Sequence, residues 1–252
     1  MTPEEAQKLM KGPLGEAMAK FPLRFAKAIL FGNRPTRHGR ATVRSATASL
    51  LNLGYGPLAI TCHHVIEEYR QWIGQGNDHL FQIGNCRLDP LAQLISEDEA
   101  TDVAVIRITA AQASQITDDD EIGSSFFEPA SWPPTPIREG DYVAFGGFPG
   151  EWRAAVGVDA MEFPSYSSGA SRVTVARDSY FVSQFEREYW VSSFDYDEAA
   201  DLRRLGGLSG GPAFALRGLH YDFVGIVYEF STDYELLYFR HAGIIGADGR
   251  LN

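Results

Sequence analysis

Apolar and polar positions along this chain alternate with a period of two over most of its length, which is the spacing of half-buried strands. Arg40 to Leu53 opens this regime, followed by a Gly54-Tyr55-Gly56-Pro57 turn and the apolar run Leu58 to Thr61. Further strand-like segments stand at His79 to Gly84, Ala92 to Ser96 and Asp102 to Ile108. After them come Tyr142 to Phe145, Val173 to Ala176, Ser179 to Gln184, Tyr189 to Ser193, Ala213 to Leu216 and Phe223 to Phe230. Residues 3 to 31 differ: Ala6, Leu9, Met10, Ala17, Met18 and Phe21 recur at helical spacing, broken at Gly12-Pro13 and Pro22. They predict one or two short helices packed on the strands, or alternatively a docking or autoinhibitory arm. Val65 to Ile73 predicts a short helical turn. Glu128 to Pro136 carries five residues of a Pro-rich crossover pattern, Pro129, Trp132, Pro133, Pro134 and Pro136, between two groups of strands.

Composition narrows the setting. With 252 residues, 44% of them hydrophobic, the chain can fill two modest cores. A net charge of −11 argues against nucleic acid and anionic membrane surfaces as partners. Asp118-Asp119-Asp120-Glu121 concentrates some of that charge; it predicts a solvated loop, since it lacks the spacing of a calcium-binding loop. Cys62 and Cys86 allow at most one disulfide, and reduced thiols in a cytoplasmic setting are the simpler expectation. Met1-Thr2-Pro3-Glu4-Glu5 is acidic, with no apolar stretch of signal or membrane-spanning length after it.

The chemistry concentrates in Gly206-Gly207-Leu208-Ser209-Gly210-Gly211-Pro212. Glycines on both sides let a tight turn expose the Ser209 hydroxyl, with the N–H groups of Gly207 and Ser209 free to form an oxyanion hole. A hydroxyl needs a base, and the base needs an orienting carboxylate. Cys62-His63-His64 ends an apolar strand, and Asp102 heads Val103-Ala104-Val105-Ile106. Zinc at Cys62-His63-His64 lacks a fourth ligand at matching spacing, Cys86 and His79 being the nearest. Cys62 as a nucleophile lacks flanking glycines. By itself an aspartate before a strand is an ordinary turn or capping residue.

Thr61 to Val65, Asp102 to Val105 and Gly207 to Pro212 stand in the order His, Asp, Ser. Together they resemble the chymotrypsin-like serine peptidases, and in motif the protease domain of bacterial high-temperature-requirement proteases. Glu139 to Gly150 is similar to the strand and turn that open the second barrel of that family. The Thr-x-x-His-Val register selects His64 over His63, whose side chain points elsewhere.

The resemblance implies an all-β chain of two antiparallel six-stranded β-barrels with a short helical N-terminal extension. Residues 1–37 would be the extension, 38–127 the first barrel, 128–140 the linker and 141–252 the second barrel. It implies an endopeptidase with His64, Asp102 and Ser209 as catalytic residues, a protein or peptide substrate, and no metal or other cofactor. Arg203 would lie at the base of the primary specificity pocket, and Tyr228, Glu229 and Phe230 along the substrate strand. Arg203 and Glu229 pull in opposite directions, so the cleavage preference stays open. Leu208 stands where the digestive enzymes place an aspartate that pairs with a new N-terminus. Control is therefore expected either to be absent or to come from an activating protein partner that reshapes the loops at Gly206 and Asp195 to Arg204. The competing readings are a catalytically silent protease fold that binds peptides, and an esterase. An α/β-hydrolase would show the order Ser, Asp, His.

Overall fold

The structure is a computed structural model that describes residues 12–33, 42–76, 79–118, 122–156, 161–184, 191–192, 206–218 and 220–252. In chain order it contains α1 (Pro13–Lys20), a 3-10 turn (Phe21–Phe25), β1 (Ala26–Gly32), β2 (Val43–Asn52), β3 (Pro57–Thr61), α2 (His63–Gly74), β4 (Leu80–Ile83) and β5 (Cys86–Arg87). There follow β6 (Leu94–Asp98), β7 (Val103–Arg107), α3 (Ala110–Thr117), β8 (Tyr142–Gly147), β9 (Ala154–Ala155), β10 (Met161–Glu162), β11 (Tyr166–Ala176) and β12 (Tyr180–Gln184). β13 (Val191–Ser192), β14 (Pro212–Arg217), β15 (His220–Ser231) and β16 (Leu236–His241) complete the set.

All pairings in the two large sheets are antiparallel. In the second sheet, β8, β14, β15, β16, β12 and β11 follow one another, and β11 pairs with both β8 and β12. That extra pairing closes a six-stranded barrel. The first sheet runs β5-β4-β1-β2-β3-β7-β6 and curls without closing. Together they make a two-barrel fold of chymotrypsin type, with the first half a curled open sheet.

The helical extension is shorter than the sequence pattern suggests. β1, expected within the extension, pairs along its length with β2, so the first sheet begins at Ala26. Only α1 and the 3-10 turn precede it. α1 lies so close to β11 that a Cβ on Gly169 would come within 3.1 Å of the Ala19 nitrogen. Leu23 and Phe25 are buried, and Phe21 stacks on Tyr221 with ring centroids 3.9 Å apart. These aromatic contacts extend through Phe25, Phe127, Phe214 and Phe223. Phe214 and Phe223 belong to strands of the second barrel yet pack with the core of the first. The segment Pro13–Phe25 is thus a strap across the junction, and the described part of the N-terminus does not form an arm.

The second core lies inside the closed barrel, where Phe145, Tyr166, Phe181, Leu237 and Phe239 are fully covered. Residues 128–140 hold no strand and lie between the two sheets in sequence. The segment 119–121 of the acidic run is outside the described residues.

Candidate active site

β2 supplies the frame that holds the serine turn. Its polar positions alternate with Ala46, Ala48 and Leu50, a pattern that ordinarily marks a solvent face. Thr47 and Ser49 are instead fully buried. The second barrel covers them, and each hydroxyl donates to a carbonyl of the serine turn: Thr47 Oγ1 to Gly207 O at 2.7 Å and Ser49 Oγ to Gly210 O at 2.6 Å. Thr47 also donates its N–H to Ser209 O at 2.9 Å, and its Oγ1 accepts from Phe148 N at 3.0 Å. Thr61 Oγ1 in turn donates to Thr47 O at 2.9 Å. Polar groups of the two halves are therefore satisfied by one another, as burial requires.

Two turn glycines have no substitute. Gly207 has φ +101° and a Cβ there would fall 2.5 Å from Gly150 N; Gly210 has φ +89° with its Cβ 2.1 Å from Thr47 O. The turn is pinned further by Gly211 N to Leu208 O at 2.7 Å, and by two bonds to β15, Gly210 N to Val227 O and Val227 N to Gly211 O, both 2.8 Å. Leu208 is buried in the second core, which explains an apolar residue before the serine.

Gly206 O accepts from Gly150 N at 2.6 Å. In a trans peptide the carbonyl and the following N–H point in opposite directions, so the Gly207 N–H is turned away from Gly150. Among the described residues no acceptor takes the N–H of Gly207 or of Ser209.

His64 lies in the first turn of α2, where backbone N–H groups lack intrahelical partners. Asp102 serves that end from another element: Oδ1 accepts from His64 N at 2.9 Å and Oδ2 contacts His64 Nδ1 at 2.8 Å. An ionised carboxylate only accepts, so Nδ1 is the donor in this contact, and in the neutral imidazole that leaves the lone pair on Nε2. Asp102 itself has φ +53°, a costly backbone for a residue with a side chain. Its loop is held by Asp98 Oδ1, which accepts from Ala100 N at 2.7 Å, and from across the junction by Arg240 of β16. Arg240 Nη2 donates to Ala100 O at 3.4 Å while its guanidinium lies 4.0 Å above the Tyr228 ring. Beneath the pair sits Cys62, fully buried; burial first, then the negative charge of Asp102, pushes its thiol well above the ordinary range. Cys62 and Cys86 are both free thiols.

His64 and Ser209 line one open cleft of about 560 Å³, walled on the first sheet by Phe31, Ser45 and Ala46 and on the other side by Gly150, Gly206 and Gly207. The three residues chosen from sequence are thus brought to one place. His63 turns away and pairs with Glu97 Oε2 at 3.1 Å. Burial raises the Glu97 carboxyl, but Arg70 and His63 outweigh it and hold the group below its ordinary value.

Of the proposed specificity residues, Tyr228, Glu229 and Phe230 do not line this cleft. Tyr228 lies under Arg240 and packs against the first core, Phe230 packs against the second, and Glu229 stands between them on β15. Arg203 and the loop Asp195 to Arg204 lie outside the described residues. Sequence reasoning missed Thr47, Ser49, Thr61 and Arg240; period-two hydroxyls in β2 were the available signal, without any indication of what they faced.

No family model matches the chain, and no curated protein matches it. Solved structures do. The Rv3671c protease from M. tuberculosis in its active form is 16% identical, with 93% of this chain and 82% of that one covered at a TM-score of 0.45. The thermostable serine protease AL20 from an extremophilic microorganism is 15% identical, with 86% and 91% covered and a TM-score of 0.48. Catalytically active tobacco etch virus protease complexed with product is 15% identical, with 94% and 80% covered and a TM-score of 0.49. At these values the likeness concerns the path of the chain alone.

Proposed function

We propose that this chain is a serine endopeptidase of trypsin-like type. One observation carries the reading: the 2.8 Å contact between His64 Nδ1 and Asp102 Oδ2 leaves Nε2 available on the cleft that Ser209 also lines. In this mechanism Ser209 Oγ attacks a peptide carbonyl as His64 Nε2 takes its proton, and Asp102 holds the tautomer and stabilises the imidazolium. The free N–H groups of Gly207 and Ser209 receive the oxyanion. His64 then protonates the leaving amine, and water, activated by the same nitrogen, releases the acyl group. No step calls for a metal or an organic cofactor. The motifs favour the bacterial high-temperature-requirement type over the digestive enzymes, and the two free thiols suit a reducing compartment such as the cytoplasm. A regulating partner would act on the Gly206–Gly207 peptide, whose flip would turn a carbonyl into the hole.

The test is intact-mass analysis after incubation with a fluorophosphonate. One adduct on the wild type, absent in Ser209→Ala and in His64→Ala, is the expected result. Absence of an adduct on the wild type would turn the reading towards a protease fold that binds peptides without turnover.

A further inference from the structure

We propose that Cys62, His64 and Asp102 form an inhibitory site for a borderline-soft divalent cation of the zinc class. One ligand atom from each residue lies within 4.8 Å of the other two. The donors are a sulfur, an imidazole nitrogen and a carboxylate oxygen, each a donor type that zinc accepts, and three protein ligands plus water is the arrangement of its open sites. Bonds of about 2.0 to 2.3 Å to such donors place tetrahedral ligand atoms roughly 3.3 to 3.8 Å apart. The cluster, bounded at 4.8 Å, has to draw in around the ion on its longer sides. The 2.8 Å contact between His64 Nδ1 and Asp102 Oδ2 has to open by about 0.5 Å to admit the ion. The ion approaches over the His64 and Asp102 side chains, 49% and 19% exposed, with the fully buried Cys62 sulfur beneath them and solvent at the fourth position.

Charge and protons balance without any redox step. A thiolate and a carboxylate offset the dication, so the occupied site carries no net charge in a buried place. Cys62 releases its proton to solvent and gives up its 3.4 Å sulfur bond to Val227 O, and the dication must offset the burial that favours the protonated thiol. The imidazole stays neutral, its proton now on Nε2 because the ion holds Nδ1. Nε2 then has no lone pair for the Ser209 proton. The ion switches off the base without touching the serine. Magnesium and calcium, which select oxygen ligands, should not compete.

The inhibition rests on the triad reading above; the binding does not. Purified full-length protein, stripped with a chelator, is titrated with cobalt(II) as the probe. A thiolate-to-cobalt charge-transfer band in the near ultraviolet is expected at one equivalent, displaced by zinc, and kept in Cys86→Ala. The band should be lost in Cys62→Ala, in Cys62→Ser and in His64→Ala, with circular dichroism confirming that each is folded. Zinc should slow fluorophosphonate labelling of the wild type at least tenfold, magnesium should not, and the labelling rate of Cys62→Ala, taken against its own zinc-free rate, should not change with zinc. No charge-transfer band in the wild type, or a band that survives in the Cys62 variants, overturns the site. Equal slowing by zinc in wild type and in both Cys62 variants overturns the inhibitory role. If the wild type never labels, the triad reading fails, while the cobalt band alone still decides the site.

Discussion

Thr47 has one hydroxyl and two obligations: it donates to the carbonyl of Gly207 and accepts from Phe148 N. Thr47→Val keeps the shape and strands both partners in a buried place, at a cost of about 1 to 3 kcal/mol. A lower denaturant midpoint, together with slower fluorophosphonate labelling, is the expected result, since Gly207 is an oxyanion donor in the proposed mechanism. Ser49→Ala, which frees a single carbonyl of the same turn, should cost less in both assays. At Glu97 the sign of the pH effect is fixed. Its folded value lies below the ordinary 4.5, held there by Arg70 and His63, so its contribution is complete above about pH 4.5 and is lost as pH falls through the lowered value. In Glu97→Gln the melting temperature should be lower near neutrality, and the gap to wild type should narrow as pH drops below 4.5. A gap that widens on acidification would contradict this pairing.

Among the elements, β16 and α3 were not visible as periodic segments. β16 mixes Leu236, Tyr238, Arg240 and His241, so its polar positions hide a strand whose Leu237 and Phe239 are buried in the closed barrel. α3 did carry a sequence signal, the box in which Thr109 Oγ1 accepts from Gln112 N and Gln112 reaches back to Thr109 N. The consequence of β16 for the site is Arg240, which reaches the Asp102 loop from the opposite half. Arg240→Met retains the aliphatic packing on Tyr228 and loses the bond to Ala100 O. Labelling should slow by roughly 10- to 100-fold, the scale at which small misplacements of reacting groups act. The melting temperature should change little by comparison. A drop in stability with an unchanged labelling rate would make Arg240 a packing residue alone.

For the whole molecule, the junction between the halves decides both stability and catalysis. The strap Pro13–Phe25 packs its Phe21 and Phe25 rings on Phe214 and Phe21 on Tyr221, so deletion of residues 1–25 should expose the aromatic junction and yield aggregated or unfolded protein. An autoinhibitory arm predicts the reverse, faster labelling by a folded truncated chain. Phe25→Ala offers a milder version, with a loss of about 3 to 5 kcal/mol for a buried phenylalanine in a denaturation curve. The sequence by itself determined the strand-rich class, because a period of two is a local property, and singled out Ser209, His64 and Asp102 as candidates, because a nucleophile turn, a strand-end histidine and a strand-heading aspartate each carry a local pattern. Which side chains those residues would meet is not local. Tertiary structure decided that the hydroxyls of β2 face a second barrel and not solvent, that Asp102 caps α2, and that Arg240 and Cys62 flank the pair. Those contacts span 14 to 165 positions of sequence; the pairing of strands within the first half forms the shorter ones, and the closing of one half upon the other forms those of Ser49, Cys62 and Arg240.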